Sequence, residues 1–346
     1  MAQLDCCNSK NGKNSKMWSH VIAVDMPVDD NWPFAQDLSR EAGIPFHVVA
    51  RDGRAHVKRW QRILIYVMMG FKLFVHRRQM CVLVCWQQFF GLMFAWLCSI
   101  FHVKKNTRLT VMTFIFRPKR GLIGRLYQHW VTTVLNSGYV DHVTVFSHHE
   151  VDYYSKQLGV NKSLFTFVPL AIDELPQLET TDGGFLFSTG KSNRDYDFLI
   201  SALSGTSHHL VIACDELKQP LASNIVVYRH TFNQDMLALM ARASAVVIAL
   251  DNAHVSSGQL VVLQAMALGK PVIVTRSSAL DDYVVPDKTG FMVDKTARAF
   301  LLAVNQIMGD PALRQRMGEA ARQRFSSRHK LSQLAHHVLT TTLQPN

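Results

Sequence analysis

The sequence predicts an α/β protein made of two doubly wound, Rossmann-like domains. Three observations carry this expectation. From His20 onward, short apolar runs alternate with segments of helical period, the order of a parallel sheet with crossover helices. The alternation is interrupted once, by an acidic, turn-rich stretch over residues 174–184, and restarts at Phe185. A length of 346 residues, 48% of them apolar and 18% charged, is enough for two cores of ordinary size. The division expected is a disordered polar leader over 1–16, a first domain over 17–172, a linker over 173–184, a second domain over 185–327, and a last helix over 328–346. The leader carries no signal-peptide pattern.

Residues 20–25 read as the first strand. Pro33 suits the first turn of the helix that follows, and the loop between them carries Asp25, Asp29 and Asp30. Residues 45–50 are the second strand. Residues 57–78 form a helix with cationic ends: Lys58, Arg59 and Arg62 precede its uncharged run, and Lys72, Arg77 and Arg78 follow it. The run 63–71 is too short to span a bilayer. It suits a membrane interface, with Trp60, Tyr66, Phe71 and Phe74 in lipid, or a helix packed on the sheet with a basic rim.

Residues 80–101 hold no formal charge, yet the stretch from Cys81 to Cys85 alternates like a strand and Gln87 and Gln88 break the run. A strand and a buried helix are expected there rather than a span. Residues 109–116 are the next strand, and the cationic turn after it holds Arg117, Lys119 and Arg120. Residues 123–135 are helical by period. The strand 142–147 ends at Ser147, an N-cap for the helix that His148 and His149 open, and 165–169 is the last strand of this half.

In the second half, strands are expected over 185–188, 209–214, 224–228, 245–250 and 272–274, with helices over 197–203, 235–242, 296–308 and 311–325. The turn after the first of these strands carries Gly190, Lys191 and Arg194. Two cations beside a helix N-terminus suit an anion. Residues 256–274 read as a small-residue turn of Ser256, Ser257 and Gly258, an apolar helix containing Gln259 and Gln264, a glycine stop at Gly269 and a buried strand. A helix that starts on small residues offers unpaired N–H groups and a positive dipole end, both suited to phosphate.

The net charge of +11 belongs to one half. Residues 51–125 hold 15 Lys and Arg against the single acid Asp52. An anionic lipid surface or a phosphorylated acceptor fits such a face, whereas no nucleic-acid module is present. The six cysteines form no disulfide framework, and Cys81, Cys85, Cys98 and Cys214 lie in apolar runs, so a reducing, cytoplasmic setting is expected. No Walker loop, zinc spacing or nucleophile elbow occurs.

The segment from Gln264 to Val272, QAMALGKPV, resembles the nucleotide-sugar site of group 1 glycosyltransferases of the GT-B fold. Two departures accompany it: Ser256 and Gln264 stand where the family pattern has glutamates. The resemblance extends from about residue 141 to the end and implies two Rossmann-like domains facing across a cleft, with the last helix, over 328–346, crossing back to the first domain. It implies a nucleotide diphosphate sugar as donor, no cofactor and no metal. Lys191 and Arg194 are nearest to the family's diphosphate-holding cations, and Arg229 lies near the base. Ser256, Ser257, Gly258 and Gln259 would contact phosphate or sugar, and Gln264 would bond the ribose in place of glutamate. Retention of configuration is implied, while an inverting reaction would need a base, for which Asp25, Asp29 and Asp30 are the candidates. The expected acceptor is a lipid-linked or polysaccharide chain at the inner membrane face, with Arg117, Lys119 and Arg120 toward acceptor or membrane. A non-catalytic nucleotide-sugar-binding protein and a GT-B nucleotide-sugar epimerase stand as alternatives.

Overall fold

The structure is a computed structural model that describes residues 18–51, 58–217 and 222–343, with only the backbone of Arg59. The expected disordered leader lies outside the described residues. The chain divides into two compact units, one of Met1–Pro169 with Leu331–Asn346 and the other of Leu170–Lys330.

The first unit is a six-stranded parallel sheet in the order β2-β1-β3-β4-β5-β6. Its strands are β1 (His20–Val24), β2 (His47–Ala50), β3 (Val82–Cys85), β4 (Arg108–Val111), β5 (His142–Val145) and β6 (Phe165–Phe167). Every residue of β1 and β3 is buried, as strands covered on both faces require. The crossover helices are α1 (Pro33–Ala42), α2 (Arg59–His76), α3 (Gln88–Ile100), α4 (Gly121–Leu135) and α5 (His148–Leu158). Residues 80–101 divide as expected, into β3 and α3, and no helix among the described residues is long and apolar enough to cross a membrane. The helix α3 is apolar nearly all round because α2 covers one flank and α4 another. Gly70 in α2 permits the first contact, since a Cβ there would lie 2.4 Å from Met93 Cγ. Ser147 caps α5 as predicted, its Oγ accepting from the Glu150 N–H, while the Glu150 carboxylate accepts from the Phe146 N–H.

Three expectations for this unit are revised. The strand expected over 109–116 ends at Val111, because Thr113 takes a left-handed φ of 49° and turns the chain out of the sheet. Of the four aromatic residues expected in lipid, Phe74 is buried and Tyr66 stacks on Phe89. Trp60 and Phe71 do point outward. Cys81 is disulfide-bonded rather than a free core thiol, while Cys85, Cys98 and Cys214 are free and buried.

The second unit is also a six-stranded parallel sheet, in the order β12-β11-β10-β7-β8-β9. Its strands are β7 (Phe185–Thr189), β8 (His209–Ala213), β9 (Ile225–Tyr228), β10 (Ala245–Ile248), β11 (Val272–Thr275) and β12 (Gly290–Val293). They alternate with α6 (Tyr196–Leu203), α7 (Asn233–Arg242), α8 (Gln259–Ala267), α9 (Ala297–Gly309) and α10 (Pro311–Arg328). The stretch expected as a linker packs on this unit instead. Thr181 and Gly183 donate N–H bonds to the carbonyls of Ala241 and Arg242 (3.1 and 2.8 Å), and Asp182 is gripped by Arg314 at 2.6 Å. A Cβ at Gly183 would meet the Arg242 carbonyl oxygen at 2.7 Å, so this seam closes only on glycine. The final helix, α11 (Leu331–Val338), packs on α1 in the first unit.

Candidate functional site

In an open parallel sheet, strand order reverses where one crossover goes left and the next goes right, and the loops splay apart there. In the second unit this point lies between β7 and β10. The turn after β7 carries Gly190, Lys191 and Arg194, and the loop after β10 leads through Ser256, Ser257 and Gly258 into α8. Adjacency of the two strands therefore brings these residues to one sheet edge.

The joint between them is Asn193, which the sequence reading did not single out. Its Nδ2 donates to the Asn252 carbonyl oxygen at 2.9 Å and to Ser257 Oγ at 3.0 Å. The Asn252 N–H returns a 2.9 Å bond to Asn193 Oδ1. Asn193 holds φ at 57°, a conformation that asparagine tolerates better than most side chains. The Asp195 N–H adds a bond to the Ala249 carbonyl at 3.0 Å. The only sequence signal for this role is an asparagine in a strand-to-helix turn, which is common in turns of many kinds.

Gly258 is the N-cap of α8, at φ +92°, and as a glycine it supplies no capping side chain. Its conformation, rather than crowding, calls for glycine: the nearest atom to an added Cβ would be 3.5 Å away. The N-cap residue itself therefore satisfies none of the first N–H groups of α8. Ser256 Oγ accepts from Gln259 Nε2, so these two side chains are engaged with each other. Gln264 sits in the helix body, half-buried.

The two expected diphosphate cations have different fates. Arg194 is turned inward: Nε donates to the Thr189 carbonyl at 3.0 Å and Nη1 to that of Ser192 at 2.9 Å. Burial pushes its guanidinium below the ordinary arginine value. It occupies the space over Gly190, where an added Cβ would meet Nη2 at 2.6 Å, so Arg194 shapes the turn rather than presenting charge. Lys191 is exposed, 3.5 Å from Asp215 and 5.5 Å from the centre of the Phe232 ring. The Asp215 carboxylate also accepts from the His230 N–H at 2.7 Å, which lowers its pKa first, with Lys191 adding to the effect. Arg229 donates to the Leu217 carbonyl.

In the first unit the reversal lies between β1 and β3. Asp25 follows β1 there and accepts from Gln87 Nε2 at 3.1 Å; the same amide lies 3.4 Å from Tyr66 Oη. Burial, then the Asp25 charge, raise the Tyr66 pKa. Asp29 and Asp30 do not join this group. Asp29 closes its own turn on the Asn31 N–H at 2.9 Å. Asp30 accepts the Val48 N–H at 2.7 Å, satisfying a donor of the edge strand β2. Of the three acids expected as candidate bases, only Asp25 occupies the reversal point. Lys119 lies over the Tyr127 ring at 5.1 Å, and Arg120 is the N-cap residue of α4. Among the described residues, no three His, Cys, Asp or Glu stand together as a metal site.

Sequence comparison places the uncapped helix and its neighbours. Residues 214–324 match the family model described as glycosyl transferases group 1. Glycogen synthase of Mycobacterium tuberculosis is 30% identical over 158 residues, 45% of this chain and 34% of that protein. The chain spans about a third of the length of the curated relatives it matches. Among solved structures, sucrose-phosphate synthase from Thermosynechococcus elongatus superposes with a TM-score of 0.69 at 15% identity, covering 93% of this chain and 98% of that one. Anabaena HepE, solved in complex with UDP, superposes at 0.66 with 14% identity over 93% and 99% of the two chains. The fold is GT-B, with both of its parallel sheets present. The matched segment contains α8 and Gln264 but begins after the turn at Gly190 and Asn193.

Proposed function

We propose that this chain is a glycosyltransferase that takes a sugar from a nucleotide diphosphate sugar, held by the second unit, and passes it to a lipid-linked or polysaccharide acceptor on the inner face of a membrane. The observation that carries the reading is the uncapped N-terminus of α8 at the strand-order reversal, fixed there by Asn193. Its N–H groups and dipole suit the charge that grows on a departing diphosphate, and Lys191 adds a mobile cation. Arg194 serves by holding the turn around Gly190. Gln264 supplies an amide that can bond ribose hydroxyls without the charge of a glutamate. HepE, the neighbour solved with UDP, supports the choice of ligand. Nothing in this donor arrangement requires a cofactor, and retention is the stereochemistry the reading carries.

Isothermal titration with a panel of uridine, guanosine and adenosine diphosphate sugars tests it, followed by assay of released nucleoside diphosphate. One donor should bind and be slowly hydrolysed, and Lys191→Ala should weaken its binding about tenfold, the loss of a charge-assisted contact. Binding without release, even with membrane extract as acceptor, would favour the non-catalytic reading. No binding by any member would overturn both.

A further inference from the structure

We infer that the first unit docks in the plane of an anionic bilayer through the outer face of α2 and the first turn of α4. The inference rests on the reading of a lipid-linked acceptor for its purpose, but its evidence lies wholly in the first unit.

The α2 helix is apolar on two faces. Met69, Leu73 and Phe74 turn inward against the core. On the outside, Trp60, Ile63, Leu64, Met68 and Phe71 are each more than half exposed. At a helical period these five fall within an arc of about 140°, a continuous stripe rather than scattered exposure. In α4 the first turn repeats the feature: Leu122 and Ile123 are 72% and 80% exposed, and Leu126 follows them at 60%.

Topology places the two patches together. Both helices are right-handed crossovers that begin past the C-terminal ends of parallel strands, α2 after β2 and α4 after β4. Both flank α3, which packs on each of them. The exposed apolar turns therefore lie on one helical layer, toward the edge at which Asp25 stands. Just before α4, the cationic turn is folded down tightly: a Cβ at Gly124 would lie 2.0 Å from the Lys119 carbonyl oxygen. Glycine there seats Lys119 and Arg120 beside the apolar turn.

Charge decides the partner. Residues 58–125 contain 13 Lys and Arg and no Asp or Glu. Of these, Lys58, Arg62, Lys119, Arg120 and Arg125 lie in or beside the two apolar turns, and a second copy of this chain would set them against each other. A bilayer with anionic headgroups accepts both features, the cations at headgroup depth and the apolar residues just below. Eighteen residues of α2 are about 27 Å long and carry Arg62 and Lys72, so the helix lies along the surface rather than across it.

The test is co-sedimentation of the full chain with vesicles of phosphatidylcholine alone and of phosphatidylcholine with phosphatidylglycerol. The protein should pellet with the anionic vesicles and remain in solution with the neutral ones. Met68→Glu with Ile123→Glu should lower the bound fraction at least about tenfold, since both residues would enter lipid. Lys119→Gln with Arg120→Gln should weaken binding to anionic vesicles less steeply. Far-ultraviolet circular dichroism melts separate loss of docking from loss of fold. Equal binding to both vesicle types, or wild-type binding by the Met68/Ile123 variant, would overturn the inference. Donor titration on the same proteins keeps the two readings distinct: docking with no donor bound at all sinks the transferase and not the surface.

Discussion

Asn193 joins backbone and side-chain groups 59 and 64 positions away in the chain, and that separation explains both its importance and its invisibility. Replacement by alanine leaves the Asn252 N–H and carbonyl without their partner and asks a non-glycine, non-asparagine residue to hold a positive φ. The expected cost is about 1–3 kcal/mol of unfolding free energy. The start of α8 should also loosen, so that donor affinity falls by about tenfold. Paired chemical denaturation and titration of Asn193→Ala would check this, and unchanged affinity with lowered stability would make the residue purely structural. Sequence patterns failed here for a physical reason. The chain names cations as an anion site by type, yet in the folded turn Arg194 is absorbed by two carbonyls while a neutral asparagine fixes the geometry. Asp29 and Asp30 show the same limit, because a carboxylate in a loop is as useful to an orphan N–H as to a reaction.

At the scale of elements, more was legible. Fully buried strands such as β1, β10 and β11 carry unbroken apolar runs, and Ser147 marks the start of α5 through its cap. The stretch 174–184 misled because acidic, turn-forming composition describes a surface seam as well as a hinge. What anchors it is tertiary. Lys270, which follows α8, is buried and donates from Nζ to the Thr181 carbonyl at 2.7 Å. Burial lowers its pKa to about 8, with the Asp182 charge opposing the shift. A lysine with a depressed folded pKa binds fewer protons when folded than when unfolded, so stability rises with pH between about 8 and about 10.4. Buried thiols and phenols act in the opposite sense, Cys85 and Cys98 above about pH 8.5 and the tyrosines above about pH 10, because their unfolded forms ionise first. Between pH 7.5 and about 9.5, Lys270→Met should therefore lose stability with rising pH relative to the unaltered chain, because it lacks the opposing lysine contribution. Urea titrations of both proteins across this range measure the difference, and parallel curves would remove Lys270 as the cause.

Across the molecule, the chain leaves the first unit after Pro169 and re-enters it at Leu331. The family resemblance suggested a returning helix, but the residues it would pack on could not be read from sequence, since its partner α1 lies some 300 positions earlier. In the structure α11 buries Leu334 and Val338 almost completely, His336 meets Glu41 at 2.8 Å, and the Leu343 carbonyl accepts from Arg108 Nη1. The exposed His336–Glu41 pair contributes little, whereas the leucine fills a space that α1 cannot close by itself. Leu334→Ala should cost about 2–5 kcal/mol, while His336→Ala should cost less than about 1 kcal/mol. Because both substitutions fall on the same helix, comparing them separates apolar packing from charge. Thermal melts of the two variants give the answer. A large loss for His336→Ala with little for Leu334→Ala would mean that α11 is held by its ends and not by its buried face.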